Sequence, residues 1–272
     1  MSQPIFITDP GDARLGDYVG LTDAVLRRRT EEGGGGHGLF IAEGELVIRE
    51  LLRSPYPVRS VLVTPGLHDR LAAELATLGA PVYVTARSVM GSVTGFNIHR
   101  GALASAERLG LPEPGALIAG ARRIVVLEGL NDHENLGALF RNAAALGIDA
   151  VLLDPTCADP LYRRSVRVSL GHVLRLPFAR LAPWPQAIGM LREAGFEIVA
   201  LTPRATAEPV SVLDGQRRPL AFLVGAEGPG LSEAALAAAT RWVRVPMAPG
   251  VDSLNVATAA AVAFHRASTV PP

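Results

Sequence analysis

The sequence has 272 residues, 49% of them hydrophobic, and its 26 basic residues balance its 26 acidic residues. This length suits one large domain or two modest ones, and the neutral balance excludes a uniformly basic, histone-like protein while permitting a local basic face. The single cysteine, Cys157, excludes an internal disulfide and a cysteine-rich zinc site, and no apolar run is long enough to predict a transmembrane helix.

The first part of the chain predicts alternating strands and helices. Residues Leu21–Thr30 predict a short helix that ends in three arginines, and the run Gly33–Gly36 predicts a flexible stretch. The order strand, helix, strand, helix, strand then indicates a parallel or mixed α/β domain. These five elements are predicted in turn at Leu39–Ala42, Glu45–Leu52, Val58–Val63, Asp69–Leu78 and Pro81–Thr85.

The chain becomes loop-like after Ala104, where glycine and proline recur. We therefore predict an N-terminal domain over residues 1–105, a linker over 106–121 and a C-terminal domain over 122–272. The C-terminal part alternates again, and its apolar runs indicate strands covered on both faces, as in a parallel sheet. Strands are predicted at Arg123–Leu127, Ala150–Leu153, Glu197–Leu201, Leu220–Val224 and Trp242–Val245, and helical segments at Leu136–Leu146, Tyr162–Leu170, Trp184–Ala194, Ser232–Ala238 and Val256–Arg266.

Three loops of the C-terminal part follow apolar strands and lead into helices, which is where ligands bind in open α/β sheets. The first loop, residues 128–141, contains Asn135, Gly137 and Arg141. Taken alone, Asn135 could simply cap the helix, and Arg141 could form a surface salt bridge. His133 has no second histidine or cysteine at metal-ligand spacing, so we expect no metal site.

The second loop, Gly225–Leu231, is rich in glycine and holds one acid, Glu227. Its glycines allow backbone amides to approach a ligand or simply form a tight turn. All basic residues of the chain are arginine, so a lysine-dependent phosphate-binding loop is excluded. The third loop, Pro246–Ala257, places Ser253 and Asn255 directly before a helix, where they could act only as caps.

Together the three loops resemble the three motifs of the SpoU-type branch of the SPOUT RNA methyltransferases. In that branch the motifs read N-x-G-x-x-x-R, then an apolar strand with G-x-E-x-x-G-[LI], then [IV]-P-M followed by S-L-N-[VA]. The order and spacing of this chain fit all three. The matching residues are Asn135, Gly137 and Arg141 in the first motif, Gly225, Glu227, Gly230 and Leu231 in the second, and Val245, Pro246, Met247, Ser253, Leu254, Asn255 and Val256 in the third.

The resemblance implies a C-terminal SPOUT domain with a parallel sheet and a deep trefoil knot, a feature that composition and periodicity do not indicate. The segment Phe40–Gly44, FIAEG, resembles the start of the smaller N-terminal domain that often precedes this catalytic domain. That domain is an RNA-binding α/β domain with a ribosomal-protein-type fold. Members of the family are dimers in which one subunit completes the RNA site of the other, so a homodimer is expected. His133 departs from the proline that is frequent at its position, which leaves the substrate open.

S-adenosylmethionine is the cofactor that the resemblance implies, and the implied reaction is methyl transfer to a ribose 2′-hydroxyl of RNA, which needs no metal. Arg141 would hold a substrate phosphate and assist deprotonation, with Asn135 orienting it. Because the pKa of arginine lies above about 12, the phosphate role is the firmer of the two. Glu227, Ser253 and Asn255 would complete the catalytic set. The expected cofactor contacts are Leu201, Thr202, Pro203, Gly225, Ala226, Glu227, Gly228, Val245, Pro246, Met247, Leu254, Asn255 and Ala257.

RNA is the implied partner, and the additional N-terminal domain favours ribosomal RNA over transfer RNA. Besides Arg141, the arginines Arg163, Arg164 and Arg167 fall within two turns of one segment and could contact phosphates or form a solvated basic face. Antibiotic-resistance enzymes share this layout, so a self-protection role stays open. Residues 1–12 lack the features of a signal peptide, and we expect a cytoplasmic protein without a membrane partner.

Two other classes of function remain as alternatives. A catalytically inactive RNA-binding module would keep the fold without turnover, although all five predicted catalytic residues are present. A nucleotide-dependent oxidoreductase would need a dinucleotide fingerprint that follows a strand and opens a helix. The formal G-x-G-x-x-G match at Gly33, Gly35 and Gly38 precedes the first predicted strand instead, so it does not support that class.

Overall fold

The computed structural model describes residues 3–21, 38–96, 98 and 100–268. The chain divides into two compact units, one made of residues 1–110 with 161–175 and the other of residues 111–160 with 176–272. The glycine run Gly33–Gly36 and all but the first residue of the helix predicted at Leu21–Thr30 lie outside the described residues. Within the described ranges, no helix is long and apolar enough to cross a membrane.

The first unit is an α/β unit on a mixed five-stranded sheet. Its elements up to residue 107 are β1 Ile5–Ile7, a 3-10 helix Ala13–Tyr18, β2 Leu39–Glu43, α1 Glu45–Leu52, β3 Val58–Val63, α2 Pro65–Arg70, α3 Ala72–Ala76, β4 Val82–Thr85, α4 Arg87–Thr94 and β5 Ala102–Glu107. The sheet order is β1-β4-β3-β5-β2, with β1, β4 and β3 parallel and β5 antiparallel to both of its neighbours. The expected parallel or mixed α/β arrangement is therefore found as a mixed sheet.

Two details of this unit differ from the sequence-based prediction. Strand β5 was missed, and residue 105, the predicted end of the first domain, lies inside it. The strand is rich in alanine and lacks the β-branched residues that mark strands in a sequence. The helix predicted at Asp69–Leu78 is divided into α2 and α3, with Leu71 between them. Helix α2 begins earlier than predicted because Pro65 occupies its first turn, where a missing N–H costs little.

The second unit contains a seven-stranded sheet in which every neighbouring pair is parallel. Its strands are β6 Arg123–Glu128, β7 Ala150–Leu153, β8 Phe178–Arg180, β9 Glu197–Leu201, β10 Glu208–Pro209, β11 Leu220–Gly225 and β12 Arg241–Arg244, in the sheet order β10-β12-β9-β11-β6-β7-β8. Its helices are α5 Pro114–Gly120, α6 His133–Ala145, α8 Ile188–Glu193, α9 Glu233–Ala238 and α10 Val256–Arg266, with a 3-10 helix at Val210–Leu213. The parallel sheet predicted for this part of the chain is confirmed.

The order of the strands creates a crevice next to β6. The chain adds β7 and β8 on one side of β6 and then builds the other side of the sheet from β9 onwards. In a parallel sheet, such a reversal leaves an opening outside the carboxyl ends of the strands where it occurs. Gly225 at the end of β11 is in register with Glu128 at the end of β6. The loops that follow β6, β11 and β12 consequently emerge at one edge of the sheet.

Helix α7, Arg163–Val168, belongs to the first unit although its sequence lies between β7 and β8. Arg163 Nη1 lies 2.8 Å from Oε2 of the buried Glu43, and its guanidinium lies 4.4 Å from the centre of the Phe96 ring. Gly171 packs so tightly against α1 that an added Cβ would lie 2.8 Å from Cβ of Glu50. The sequence-based interpretation assigned the segment Tyr162–Leu170 to the C-terminal domain because of its position in the chain. That assignment was wrong, since local sequence does not indicate contacts between residues so far apart.

Two helices of the second unit also differ from prediction. Helix α5 lies within the predicted linker 106–121 and begins at Pro114. Helix α8 covers only the later part of the helix predicted at Trp184–Ala194. Pro185 lacks the N–H that a helix interior requires, so the regular helix begins after it.

Arg123, at the start of β6, is a buried arginine that joins this strand to the end of α10. It is only 4% exposed. Its Nε donates a hydrogen bond of 3.1 Å to the carbonyl of Ala267, while Nη1 and Nη2 donate to the carbonyls of Arg218 at 2.7 Å and Gln216 at 2.6 Å. Burial lowers the pKa of Arg123. The guanidinium thus satisfies carbonyls from two separate segments.

Replacing Arg123 with methionine is expected to lower the free energy of unfolding by about 2–4 kcal/mol, because the carbonyls lose a shared charged donor in a dry environment. Chemical denaturation followed by circular dichroism measures the change. The matched control is Arg122→Met at the exposed neighbouring position, which we expect to cost less than about 1 kcal/mol. Equal effects of the two substitutions would contradict the structural role given to Arg123.

Candidate active site

Asn255 links the three motif loops in the second unit. Its Nδ2 donates hydrogen bonds to Asn135 Oδ1 at 2.7 Å and to Glu227 Oε1 at 2.8 Å. Its Oδ1 accepts from the backbone N–H groups of Ala257 at 3.0 Å and Thr258 at 3.2 Å, so the same side chain caps α10. The capping role considered from the sequence is therefore present, and the amide of Asn255 has a second use that capping does not explain.

The first loop is held by Asp132 and not by Asn135. Asp132 Oδ1 accepts from the backbone N–H groups of Glu134 and Asn135, each at 2.8 Å, and caps α6. The sequence-based suggestion that Asn135 caps this helix was wrong, because the helix begins at His133 and places Asn135 in its first turn. The side chain of Asn135 is thereby available to Asn255.

Arg141 lies on α6, about two turns after Asn135, and is exposed. Among the described residues, its guanidinium makes no hydrogen bond or salt bridge. The expected contact with Asn135 is not seen, since Asn135 pairs with Asn255. Arg141 is thus a solvated cation on the helix that carries Asn135, and the surface salt bridge considered from the sequence is not formed with any described residue.

A second contact joins α6 to α10. Asn142 Nδ2 donates a hydrogen bond of 2.9 Å to the carbonyl of Ala257. Sequence reasoning missed Asn142, which is adjacent to the motif arginine but has no place in the motif. With the Asn135–Asn255 contact, it fixes the start of α10 against α6 at two points.

The second loop is a closed turn in which Gly225 allows the backbone to fold back on itself. Ala226 and Gly230 form a bridge, with Gly230 N–H donating to the carbonyl of Ala226 at 3.0 Å. A Cβ added at Gly225 would lie 2.3 Å from the carbonyl carbon of Gly230. No side chain fits in that space, so glycine is required there for packing and not for an unusual φ angle.

Glu128, at the end of β6, anchors the exit of the second loop. Its carboxylate accepts hydrogen bonds from Ser232 N at 2.8 Å, Ser232 Oγ at 2.7 Å and Trp184 Nε1 at 2.6 Å. Ser232 Oγ in turn accepts from the N–H of Ala235 and caps α9. Glu128 therefore fixes the position where the glycine-rich turn meets the next helix.

A cavity of about 430 Å³ lies among the second loop, the third loop and the end of β9. Most of the predicted cofactor contacts line it, and so does Ser253; Pro246 and Ala257 do not. Ala257 is buried, and its backbone N–H and carbonyl are engaged by Asn255 and Asn142. Lining residues outside the predicted cofactor contacts are the motif residues Gly230 and Val256, together with Val224, Val243, Arg244 and Ala259, which the sequence interpretation missed.

A neighbouring cleft of about 540 Å³ lies between the first and second loops. Asn131, Asp132, Asn135 and Ser232 line it, and Glu227 lines both this cleft and the cavity. The second loop is therefore a thin wall between two spaces. Both spaces have a mostly apolar surface, and the cleft also carries the amide and carboxylate side chains named above.

Cys157 supports the first loop from beneath. Its Sγ accepts from the N–H of Leu130 and donates to the carbonyl of Leu127, both at 3.3 Å. Burial is the main cause that raises the pKa of Cys157 to about 12. The side chain is therefore a protonated thiol at neutral pH, and its hydrogen bonds hold the backbone at Leu127 and Leu130 in place.

Two of the three further arginines predicted to contact RNA, Arg163 and Arg167, lie next to Glu43. Arg163 is largely buried and pairs with that carboxylate, and Arg167 Nη1 lies 3.6 Å from the same oxygen. Arg164 is exposed. A phosphate contact by Arg163 would require loss of its pair with Glu43, so the structure gives this arginine an intramolecular role that the sequence did not indicate.

No group of three or more histidine, cysteine, aspartate or glutamate side chains gathers as metal ligands would in the described part of the chain. The acidic side chains near the site each have other contacts. Asp132 caps a helix, Glu128 binds Ser232 and Trp184, and Glu227 accepts from Asn255.

Replacing Asn255 with aspartate separates its two uses. An aspartate retains the oxygen that caps α10 but replaces the donating amide with a second acceptor facing Glu227. We expect turnover to fall roughly tenfold or more, because two hydrogen bonds are lost and like charges meet, while the melting temperature changes little. Asn255→Ser, which keeps a capping oxygen without adding charge, is the control. Wild-type turnover in both variants would rule out the bridge as part of the active site.

The chain is similar in sequence and fold to known RNA methyltransferases. The profile of the SpoU rRNA Methylase family matches residues 122–265. An uncharacterized tRNA/rRNA methyltransferase of Mycobacterium bovis is 47% identical over 264 residues, which cover 96% of this chain and 90% of that protein. The 23S rRNA (guanosine(2553)-2′-O)-methyltransferase RlmP of Bacillus subtilis is 29% identical over 84% of this chain and 87% of its own length.

A solved structure, the AdoMet-bound rRNA methyltransferase from Sinorhizobium meliloti, superposes with a TM-score of 0.78 at 26% identity and covers 96% of both chains. The match of the family profile covers more than half of the chain, and it includes the three motif loops that Asn255 joins. The chain belongs to the SpoU rRNA methylase family.

Proposed function

We propose that this protein transfers a methyl group from S-adenosylmethionine to a ribose 2′-hydroxyl of RNA, with ribosomal RNA as its substrate. The observation that carries the proposal is the Asn255 bridge, which joins all three motif loops at the wall of an apolar cavity. The relative RlmP, whose name states 2′-O-methylation of 23S rRNA, and the AdoMet-bound Sinorhizobium meliloti enzyme support it.

The chemistry of the cavity fits S-adenosylmethionine. Apolar side chains of Val245, Met247 and Leu254 suit the faces of an adenine, and backbone groups of the glycine-rich loop suit its polar edge. Glu227 provides a negative charge toward a cationic ligand. When bound, the cofactor supplies a methyl group on a sulfonium, which is already a strong electrophile.

The task of the chain is then to hold the ribose hydroxyl and to remove its proton. We assign Arg141 to a substrate phosphate, because its guanidinium is exposed and has no partner among the described residues. Asn255 is assigned to positioning, since it holds Asn135 and Glu227 in place. Glu227, which lines both the cavity and the cleft, and Ser253, which lines the cavity, are assigned to the side that faces the ribose, to which their oxygens offer hydrogen-bond acceptors.

We also propose that the C-terminal unit carries the trefoil knot of the family, that the protein is a homodimer and that the first unit binds RNA. Likeness of the fold to the Sinorhizobium meliloti enzyme along nearly the whole chain supports the knot and the RNA-binding unit. Of the arginines on or near α7, the exposed Arg164 is the best placed for a phosphate, followed by Arg167. Sedimentation equilibrium of the full chain tests the dimer, with an expected mass twice that of one chain.

The proposed activity is tested with the purified protein, labelled S-adenosylmethionine and separate pools of unmodified ribosomal RNA, ribosomal particles and transfer RNA. Nucleosides from each pool are identified by mass spectrometry after digestion. We expect a 2′-O-methylated nucleoside in a ribosomal pool and none with Arg141→Ala. Modification of the transfer RNA pool alone would show that transfer RNA, and not ribosomal RNA, is the substrate. Cofactor binding without transfer to any pool would favour an inactive RNA-binding module.

A further inference from the structure

Arg244, the last residue of β12, lies at the wall of the apolar cavity and has no place in the three motifs. Its side chain is half-buried, and its Nε donates a hydrogen bond of 3.1 Å to the carbonyl of Ala207. That bond fixes the base of the guanidinium. Among the described residues, no acceptor is found for Nη1 or Nη2 of Arg244, so these two nitrogens of the guanidinium are free to bind a ligand.

Other arginines near this edge of the sheet are satisfied within the protein. Arg241, on the same strand, donates to Glu197 at 2.8 Å and to Glu208 at 3.2 Å. Arg204, in the loop after β9, pairs with Glu233. Arg244 differs from both because it has no carboxylate partner in the described part of the chain, although it is partly shielded from water.

The charges on the cavity wall form a pair of opposite sign. Arg244 is the one basic residue and Glu227 the one acidic residue among the described residues that line it. The other described lining residues are neutral: Thr202, Ser253 and Asn255 are polar, and the rest are apolar or glycine. Arg244 is partly shielded from water, which weakens solvent screening of its charge, whereas Glu227 is exposed. A ligand that carries a carboxylate and a cationic centre on one short chain complements such a wall, whereas a purely cationic or neutral ligand leaves Arg244 without a partner.

We propose that Arg244 binds the carboxylate of the methionine part of the cofactor and so makes the site selective for ligands that keep this group. The proposal rests on the proposed function, because it takes S-adenosylmethionine as the ligand of the cavity. A guanidinium fork matches a carboxylate with two parallel hydrogen bonds. The methyl group is transferred from the other end of the amino-acid chain, so the contact is the same before and during transfer and contributes to binding, not to the chemical step.

Titration calorimetry of the full chain with three ligands tests this assignment. S-adenosylmethionine carries the carboxylate, decarboxylated S-adenosylmethionine lacks only that group, and 5′-methylthioadenosine lacks the amino-acid end. In the wild type, removing the carboxylate is expected to raise the Kd roughly tenfold or more, since a charge-assisted bidentate contact is lost. Arg244→Met is expected to raise the Kd for S-adenosylmethionine by a similar factor while leaving that for 5′-methylthioadenosine within about twofold.

Kinetics provide a second readout that a merely structural role would not produce. For Arg244→Met, the KM for S-adenosylmethionine is expected to rise with kcat at saturation unchanged, as for loss of uniform binding. Arg244→Lys should be intermediate, because it keeps the charge but not the fork. Arg241→Met, on the same strand but outside the cavity lining, is the matched control and should bind all three ligands as the wild type does.

The outcomes separate this proposal from the function on which it rests. If the wild type does not bind S-adenosylmethionine, the proposed function fails. If the wild type binds it but does not distinguish it from the decarboxylated ligand, or if Arg244→Met binds it normally, the assignment of Arg244 is wrong. An equal loss of affinity for S-adenosylmethionine and 5′-methylthioadenosine would also overturn the assignment, since it would mean that Arg244 only supports the shape of the cavity.

Discussion

Replacing Arg141 with alanine is expected to reduce methyl transfer about 10²- to 10³-fold while leaving the Kd for S-adenosylmethionine unchanged. A rate reduction of this size is typical for the loss of one preorganised charged donor at a reacting centre. Cofactor binding should persist, because Arg141 does not line the apolar cavity. Fold stability should persist as well, because the side chain is exposed and makes no contact that holds other described residues together. Single-turnover transfer and calorimetric titration on the same preparation measure the two quantities.

Two further substitutions show whether the effect belongs to the position and to the guanidinium. Arg217 is also an exposed arginine of the second unit whose side chain has no partner in the described ranges, and Arg217→Ala should transfer at the wild-type rate. Arg141→Lys keeps a positive charge but loses the planar fork, so partial activity is expected if the group holds a phosphate. Wild-type turnover in Arg141→Ala would remove this residue from the mechanism, whatever the result for lysine.

The parallel sheet and the loops of the site could be predicted because they follow local rules. Apolar runs such as Leu220–Val224 are buried on both faces and are recognisable without knowledge of their neighbours. The motif residues could be found because their types and spacing are unusual together, although each has an ordinary explanation alone. Asn255 has one role that local sequence indicates, the capping of α10, and one that it does not, a hydrogen bond to Asn135 across 120 positions of the sequence.

The features that were missed depend on contacts between distant segments or on small shifts of register. Helix α6 starts at His133, so Asp132 takes the capping position that was given to Asn135; both residue types cap well, and local sequence does not choose between them. Strand β5 is composed of small residues that pair only because β2 and β3 lie beside it. The ion pair of Arg163 could not be predicted, because its partner Glu43 is 120 residues away in the sequence.

The site is held by side chains whose effect is to position backbone. Glu128 fixes the exit of the glycine-rich turn, Cys157 holds the start of the first loop, and Asn142 holds the start of α10. None of the three lines the apolar cavity. A motif search therefore finds the residues proposed to meet the ligands, whereas the structure adds those that keep the motif loops in register with one another.

Replacing Gly225 with alanine is expected to raise the Kd for S-adenosylmethionine by at least about tenfold and to lower the free energy of unfolding by about 1–3 kcal/mol, the usual cost of overpacking. The added Cβ would lie 2.3 Å from the carbonyl carbon of Gly230 and 2.4 Å from its oxygen. These are backbone atoms of the same closed turn, so they cannot move aside without breaking the bridge between Ala226 and Gly230. Opening the turn displaces Glu227, which lies between the bridged residues.

Gly228→Ala distinguishes this packing effect from the general cost of placing a side chain in the turn. Gly228 has a φ of 87°, but an added Cβ there would meet no atom within 4 Å. The Gly228→Ala substitution should therefore lower the free energy of unfolding by about 1–2 kcal/mol through backbone strain and leave the bridge intact. We expect Gly228→Ala to retain more cofactor affinity than Gly225→Ala, although both lose stability. The opposite order would mean that the φ angle at Gly228, and not the close approach at Gly225, determines the shape of the cofactor cavity.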